Sequence, residues 1–385
     1  MLRKTVGAMM VALGMGAAGA ASAQALDLLV GSYTQGNEPG LYVYAFDAAS
    51  GKIAAKPRQA LQVHNPSWLV VTPDQRNVYA INENGPGNPD PIGRVTRFAR
   101  TAQGLQPQER VDTLSDHPTH ASLSKDGRFL FVANYAGDAQ PGGLLTVLPL
   151  DAQGALGQAV QVQSYQGSRA DPARQMSSHV HAAVVSPDGS QVLVADLGGD
   201  RVYLYRYVAD AERPLQAQVP AFVQFAPGSG PRHVAISADG KHAYVTLEMT
   251  GEVAELALTA DGAHVRTLHA MTPEDFDGQH GAGAIHLSAD GRFLYAINRV
   301  DDNHIVVYSV DAETGALTQL QRRSTEAAST REFTFSPDGR FLLLAVQGGD
   351  RIAVLQRDPT SGLLGKTVHS LPLSRPSYLQ LLPAR

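Results

Sequence analysis

The chain contains no cysteine among its 385 residues. Disulfides, thiolate metal sites and a cysteine nucleophile are therefore excluded. Positive charge is not in excess either: 31 Lys and Arg stand against 36 Asp and Glu, a net −5 at pH 7. With no basic stripe, nucleic acid is not an expected partner. No G-x-S-x-G elbow is present, which removes an α/β-hydrolase mechanism. No Walker or G-x-G-x-x-G segment follows a strand and opens a helix, so a nucleotide has no cradle.

Long hydrophobic runs are also missing, apart from one at the start. Thr5 to Ala20 is apolar and small, follows Arg3 and Lys4, and leads into Ala21-Ser22-Ala23. This is the pattern of a cleavable bacterial secretory signal peptide over residues 1–23. The run is shorter than the ~20 residues of a transmembrane helix, so stable membrane insertion is not expected. A single domain over 24–385, periplasmic or secreted, is the expectation.

What is present is a repeat. TPDQ at Thr72, SKDG at Ser124, SPDG at Ser186, SADG at Ser237 and Ser288, and SPDG at Ser336 each separate two short apolar runs. Their aspartates, at 74, 126, 188, 239, 290 and 338, are spaced by 52, 62, 51, 51 and 48 residues. A period near 40–50 built from short strands marks a β-propeller with one four-stranded blade per repeat. Leu26–Asp47 reads as strands lacking an inner partner, and SRPSYLQLL at Ser374 resembles the inner-strand opening NPSWLVV at Asn65. The fold class is thus all-β, a seven-bladed β-propeller whose last blade combines N- and C-terminal strands. The long step of 62 places an insertion in 151–178.

Hairpin geometry then gathers residues at one end of the ring. Inner strands open with Ser67-Trp68, Thr119-His120, His181-Ala182, Arg232-His233, Gly283-Ala284 and Arg331-Glu332. Returning strands end with Asn82-Glu83, Asn134-Tyr135, Asp196-Leu197, Leu247-Glu248, Asn298-Arg299 and Val346-Gln347. The turns take the opposite end. Asn82, Asn134, Asp196 and Asn298 have a plain alternative as caps that bond nearby backbone. Arg232, Arg299 and Arg331 could serve inter-blade ion pairs, but three convergent arginines in an acidic chain suit an anion or oxyanion. For His120, His181 and His233 the plain alternative is a buried structural imidazole.

No cofactor is expected. A divalent ion is the alternative, with His179-x-His181 completed by Asp196 or Glu248 for zinc. For calcium, the donors would be Glu83, Asp196, Glu248 and Glu332.

GSYT at Gly31, NPSWL at Asn65, NEN at Asn82, ANY at Ala133, HVH at His179, ADLGGDRV at Ala195, GPRH at Gly230, FLYAINR at Phe293 and TREF at Thr330 resemble the seven-bladed lactonase family, whose named activity is 6-phosphogluconolactonase. The resemblance spans the whole expected mature chain. Departures occur at Ala284, where the family usually carries an acid, at Thr330 for Pro and at Val346 for Asn. It implies hydrolysis of a small-molecule sugar lactone; combined with export, it points to glucono-1,5-lactone. His181 or His233 would be the general base, with Arg232 and Arg331 on the oxyanion and Glu248 and Asp196 as orienting carboxylates. Glu83, His120, Asn134, His179, Asp196, Asn298 and Arg299 would contact substrate. The alternatives are a 6-phosphogluconolactonase, a carboxymuconate-type lactonizing cyclase and a non-catalytic ligand-binding propeller.

Overall fold

The computed structural model describes residues 25–136 and 143–385; the expected leader lies outside them. The strands form seven antiparallel sheets. Blades 1 to 6 begin with the inner strands Pro66–Val71, Asp116–Leu123, Val180–Val185, Pro231–Ile236, Ala282–Leu287 and Thr330–Phe335. In the seventh, closing blade the inner strand is Pro376–Pro383, paired with Leu26–Ser32 and followed outward by Leu41–Asp47. The two chain ends therefore share one ladder, running from Leu26↔Pro383 to Ser32↔Pro376. That pairing removes the open edges the strands would otherwise present. The inner strands touch their neighbours in ring order, the last meeting the first.

The apolar core lies between blades rather than within one. Seven clusters of buried side chains each join two adjacent sheets. Second strands are covered on both faces, so Asn77–Asn82, Phe293–Asn298 and Phe341–Val346 are buried at every position. Sheets covered on both sides read as continuous apolar runs rather than alternating ones. The outer strands face water on one side, and Leu215–Gln224 is mostly exposed or half-buried.

The repeated turn has a local cause. Ser124 Oγ donates to Asp126 Oδ1 at 2.6 Å and accepts the Phe129 N–H at 3.0 Å. The following Gly127 sits at φ +71°, a left-handed conformation that glycine adopts without strain. In the TPDQ copy Gln75 takes the same role at φ +58°.

The opposite end of each inner strand carries a second repeated device. The ladder slips there in every blade, leaving Ser67, Thr119, His181, Arg331 and Ser377 as extra residues. In blades 4 and 5 the slip spans Arg232-His233 and Gly283-Ala284. Such bulges re-aim a side chain next to a site.

The long step between blades 2 and 3 contains the expected insertion. After the outer strand Gln161–Ser164, residues 165–179 cross to the next inner strand, and Arg174 and Gln175 lie on this crossing.

Candidate active site

At the bulged end, the histidines, arginines and acids of the expected collar meet. Arg232 is 1% exposed, a guanidinium sealed inside the ring. Its Nε lies 2.7 Å from Glu248 Oε2, yet neither Nε nor Nη1 has an aligned hydrogen-bond partner among the described residues. Burial and the like charge of Arg299 push Arg232 down to about 9, so it remains a cation at neutral pH.

Glu248 is the hub. Its Oε1 accepts from Arg174 Nη2 at 2.7 Å and its Oε2 from Arg299 Nη2 at 3.0 Å. Burial opposes the carboxylate, but Arg299, Arg232 and Arg174 outweigh it and hold Glu248 at about 2. Arg299 is fixed further by Nε donating to Gly281 O at 3.0 Å. A Cβ on Gly283 would stand 3.1 Å from Arg299 Nε, so the small residue makes room for this side chain.

Glu83 forms the second carboxylate pole. It accepts from Tyr33 Oη at 2.7 Å and from Arg331 Nη2 at 3.2 Å. Burial raises the Tyr33 phenol well above its usual range, so it donates as a neutral hydroxyl. Arg331 also lies over the Tyr33 ring, 5.4 Å from its centroid. Four guanidiniums thus surround two carboxylates, leaving an excess of positive charge.

Beneath the arginines lie the rings. His181 and His233 are in T-shaped contact at 5.1 Å. His233 also meets Trp68 at 5.6 Å and His120 at 5.8 Å, and Trp68 lies between His120 and Tyr378. Burial, then the charge of Arg232, lowers His181 and His233 far below the usual imidazole value. Burial, with His286 and Arg232, pushes His120 down to about 3. All three are neutral imidazoles near pH 7. His181 Nδ1 is buried without a partner among the described residues.

Other expected contacts resolve differently. Asp196 accepts the His179 N–H at 2.7 Å, and burial raises it to about 6. Asn134 Nδ2 donates to Leu144 O at 3.0 Å, and Asn298 Oδ1 accepts the Gly281 N–H at 2.9 Å. These three side chains hold loop backbone at the blade ends. That is the capping arrangement the sequence offered as the plain alternative for all three. His179 stacks on Tyr135 at 4.6 Å and its Nδ1 is 2.7 Å from Tyr135 O, at the rim. Ala284 is fully buried at the slip of blade 5.

Among the described residues no three His, Asp or Glu side chains gather as a metal cage. Glu83, Glu248 and Glu332 each hold a cationic or imidazole partner instead.

Sequence reasoning missed Arg174, Tyr33 and Tyr378, and gave Tyr135 a place in the collar without a role. Arg174 and Tyr33 sit on connectors outside the strand repeat; Tyr378 was within reach, since it aligns with Trp68 in the two inner-strand openings.

The chain is a seven-bladed β-propeller whose bulged end gathers buried arginines, carboxylates and neutral histidines. The family "Lactonase, 7-bladed beta-propeller" matches residues 27–381. The chain is 28% identical to a 6-phosphogluconolactonase of Formosa agariphila over 92% of its length and 99% of that protein. Against a 6-phosphogluconolactonase of Bacillus subtilis the identity is 29%, over 87% and 92%. A solved periplasmic gluconolactonase of Pseudomonas aeruginosa superposes with a TM-score of 0.90 at 48% identity, covering 94% of this chain and all of that one. The chain belongs to the seven-bladed β-propeller lactonase family. It is a lactone hydrolase. Among the described residues no helix is long and apolar enough to cross a membrane.

Proposed function

We propose that the substrate is an unphosphorylated aldonolactone, glucono-1,5-lactone, opened to the aldonic acid in the periplasm. The observation that carries the chemistry is Arg232, buried at 1% exposure with Nη1 unpartnered beside two neutral histidines. A buried guanidinium N–H left without an acceptor is costly unless a ligand completes it, and a developing oxyanion is a fitting ligand. The substrate follows from two supports: the leader-like first 23 residues, and the 48% identity to a protein described as a periplasmic gluconolactonase.

In this reading His181 or His233 accepts a proton as water adds to the lactone carbonyl. Arg232 and Arg331 receive the carbonyl oxygen as it gains charge. That new negative charge cancels part of the arginine field that kept the histidine neutral, so the base strengthens as it takes its proton. The tetrahedral species then expels the ring oxygen, which recovers the proton from the imidazolium and leaves as a hydroxyl. Arg299 holds ring hydroxyls, and Glu248 keeps the guanidiniums in place.

The test is hydrolysis of glucono-1,5-lactone and of its 6-phosphate by purified protein, with and without EDTA, against the spontaneous rates. Preferred, EDTA-resistant turnover of the unphosphorylated lactone is expected. Preference for the phosphate would overturn the substrate; loss with EDTA would assign the carboxylates to a metal.

A further inference from the structure

Lactone opening yields a carboxylic acid that ionises at neutral pH, so each turnover releases one proton inside a site crowded with arginines. A proton leaving through that end must pass four guanidiniums, whose field repels it. The other end of the channel is different. A cavity of about 510 Å³ opens there toward the repeated turns, lined by Trp68, His120, His233, His286 and Tyr378, with Lys125 as its one cationic side chain.

One carboxylate connects the two sides. Glu332 is 2% exposed, on the inner strand of blade 6. Its Oε2 has no hydrogen-bond partner among the described residues and lies 3.9 Å from His233 Nδ1. Its Oε1 is 2.6 Å from His286 Nε2 and accepts the Phe333 N–H at 2.9 Å. His286 is the outer member, with its side chain 38% exposed. The other charges acting in this layer are Arg232 and Arg331, with the phenol of Tyr378 beside Glu332.

We propose that His233, Glu332 and His286 form a proton exit to the turn face, so that substrate and proton use opposite ends of the propeller. The proposal rests on the lactonase reading with His233 as base. His233 takes the acid proton of the product on Nε2 and, as the 3.9 Å gap closes, releases its Nδ1 proton to Glu332 Oε2. The carboxyl group then turns about Cγ–Cδ to bring that proton to His286 Nε2, and His286 gives its other ring proton up to water in the cavity. One proton has left and the carboxylate remains; both rings now hold the opposite tautomer and turn about Cβ–Cγ before the next cycle. In a hydrolytic triad the buried carboxylate orients the imidazole and stabilises its charge without taking its proton. The feature added here is an imidazole on its far side that reaches solvent.

The experiment is saturating-substrate kinetics of His286→Ala in dilute and concentrated imidazole buffer. His286 is half-exposed, so the variant should fold. A fall in kcat of about 10-fold at low buffer, with KM unchanged, is expected. Imidazole entering the cavity should restore the rate in proportion to its concentration, and the solvent deuterium isotope effect should rise. A wild-type rate, or a loss that imidazole does not rescue, would overturn the exit. A substrate-free measurement separates this from failure of the lactonase reading. Glu332→Gln should shift the imidazole ¹⁵N resonances of both His233 and His286. If only His286 moves, the link to His233 does not exist, whatever the substrate proves to be.

Discussion

Arg174 and Glu248 are 74 residues apart in sequence, and the Arg174 Nη2 hydrogen bond to Glu248 Oε1 measures 2.7 Å. The crossing between blades 2 and 3 therefore supplies a charge to a carboxylate of blade 4. Arg174→Ala should lower kcat/KM about 10-fold by loosening the hub that positions Arg232 and Arg299. Thermal stability should barely move, because the Arg174 side chain is 41% exposed and such pairs contribute little. Steady-state kinetics with a melting curve checks both; an unchanged kcat/KM would show that Arg299 and Arg232 hold Glu248 alone.

The base can be identified by substitution. His233→Gln should reduce kcat by roughly 100-fold or more, and His181→Gln by less. The reverse order would move the proton to His181 and disconnect it from Glu332.

Acid should destabilise the protein through its buried imidazoles. His120, at about 3, and His181 and His233, also lowered, stay neutral in the folded chain while an unfolded chain protonates them near pH 6.5. The unfolded state then binds more protons, so stability present above pH ~6.5 is lost as pH falls toward the folded values. Asp196 acts oppositely: raised to about 6, its contribution is fullest at low pH and is lost as pH rises through that value. Three imidazoles against one carboxyl predict a lower Tm at pH 5 than at pH 7. Measured the same way, His120→Gln should show a smaller drop than wild type; an equal drop would place the dependence elsewhere.

Ring closure can be tested by truncation. Removing residues 376–385 deletes the strand paired with Leu26–Ser32 and exposes that edge along with Leu28, Leu29 and Val30. The product should be recovered aggregated or as a strand-exchanged oligomer, read by size-exclusion chromatography. A monomer melting like the full chain would show that the other six blades close by themselves.

The turns should matter one at a time and modestly. Ser186→Ala loses the 2.5 Å bond to Asp188 and the acceptor for the Gln191 N–H at 2.9 Å, and should cost about 1 kcal/mol. Denaturant unfolding would read it.

The blade count and closure were legible because six aspartates at near-constant spacing report a repeated turn, and repetition is robust to any one misreading. The collar was legible for a related reason: hairpins fix which strand ends meet. Asn134, Asn298 and Asp196 shared that end with Arg232, but alignment alone does not tell a side chain turned to its own loop from one turned inward. The difference lies in the slipped register of the inner strand, which depends on backbone geometry. Arg174 and Tyr33 were illegible because connector loops carry no period, so nothing in the spacing says where their side chains land. His286 was hidden differently: two residues beyond Ala284 on the same strand, it belongs to the opposite mouth.

The seven register slips also bear on how such a molecule can change. Each inner strand gives up its ladder at one point only, while the hydrogen bonds on either side continue. A residue at that point is released from the ladder, so its side chain answers to its neighbours at the ring's end rather than to the pleat of its own blade. Ser67, Thr119, His181, Arg232, Gly283, Arg331 and Ser377 thus act as seven sockets on a fixed rim. What stands in one socket then constrains what can stand beside it, as Gly283 does for Arg299.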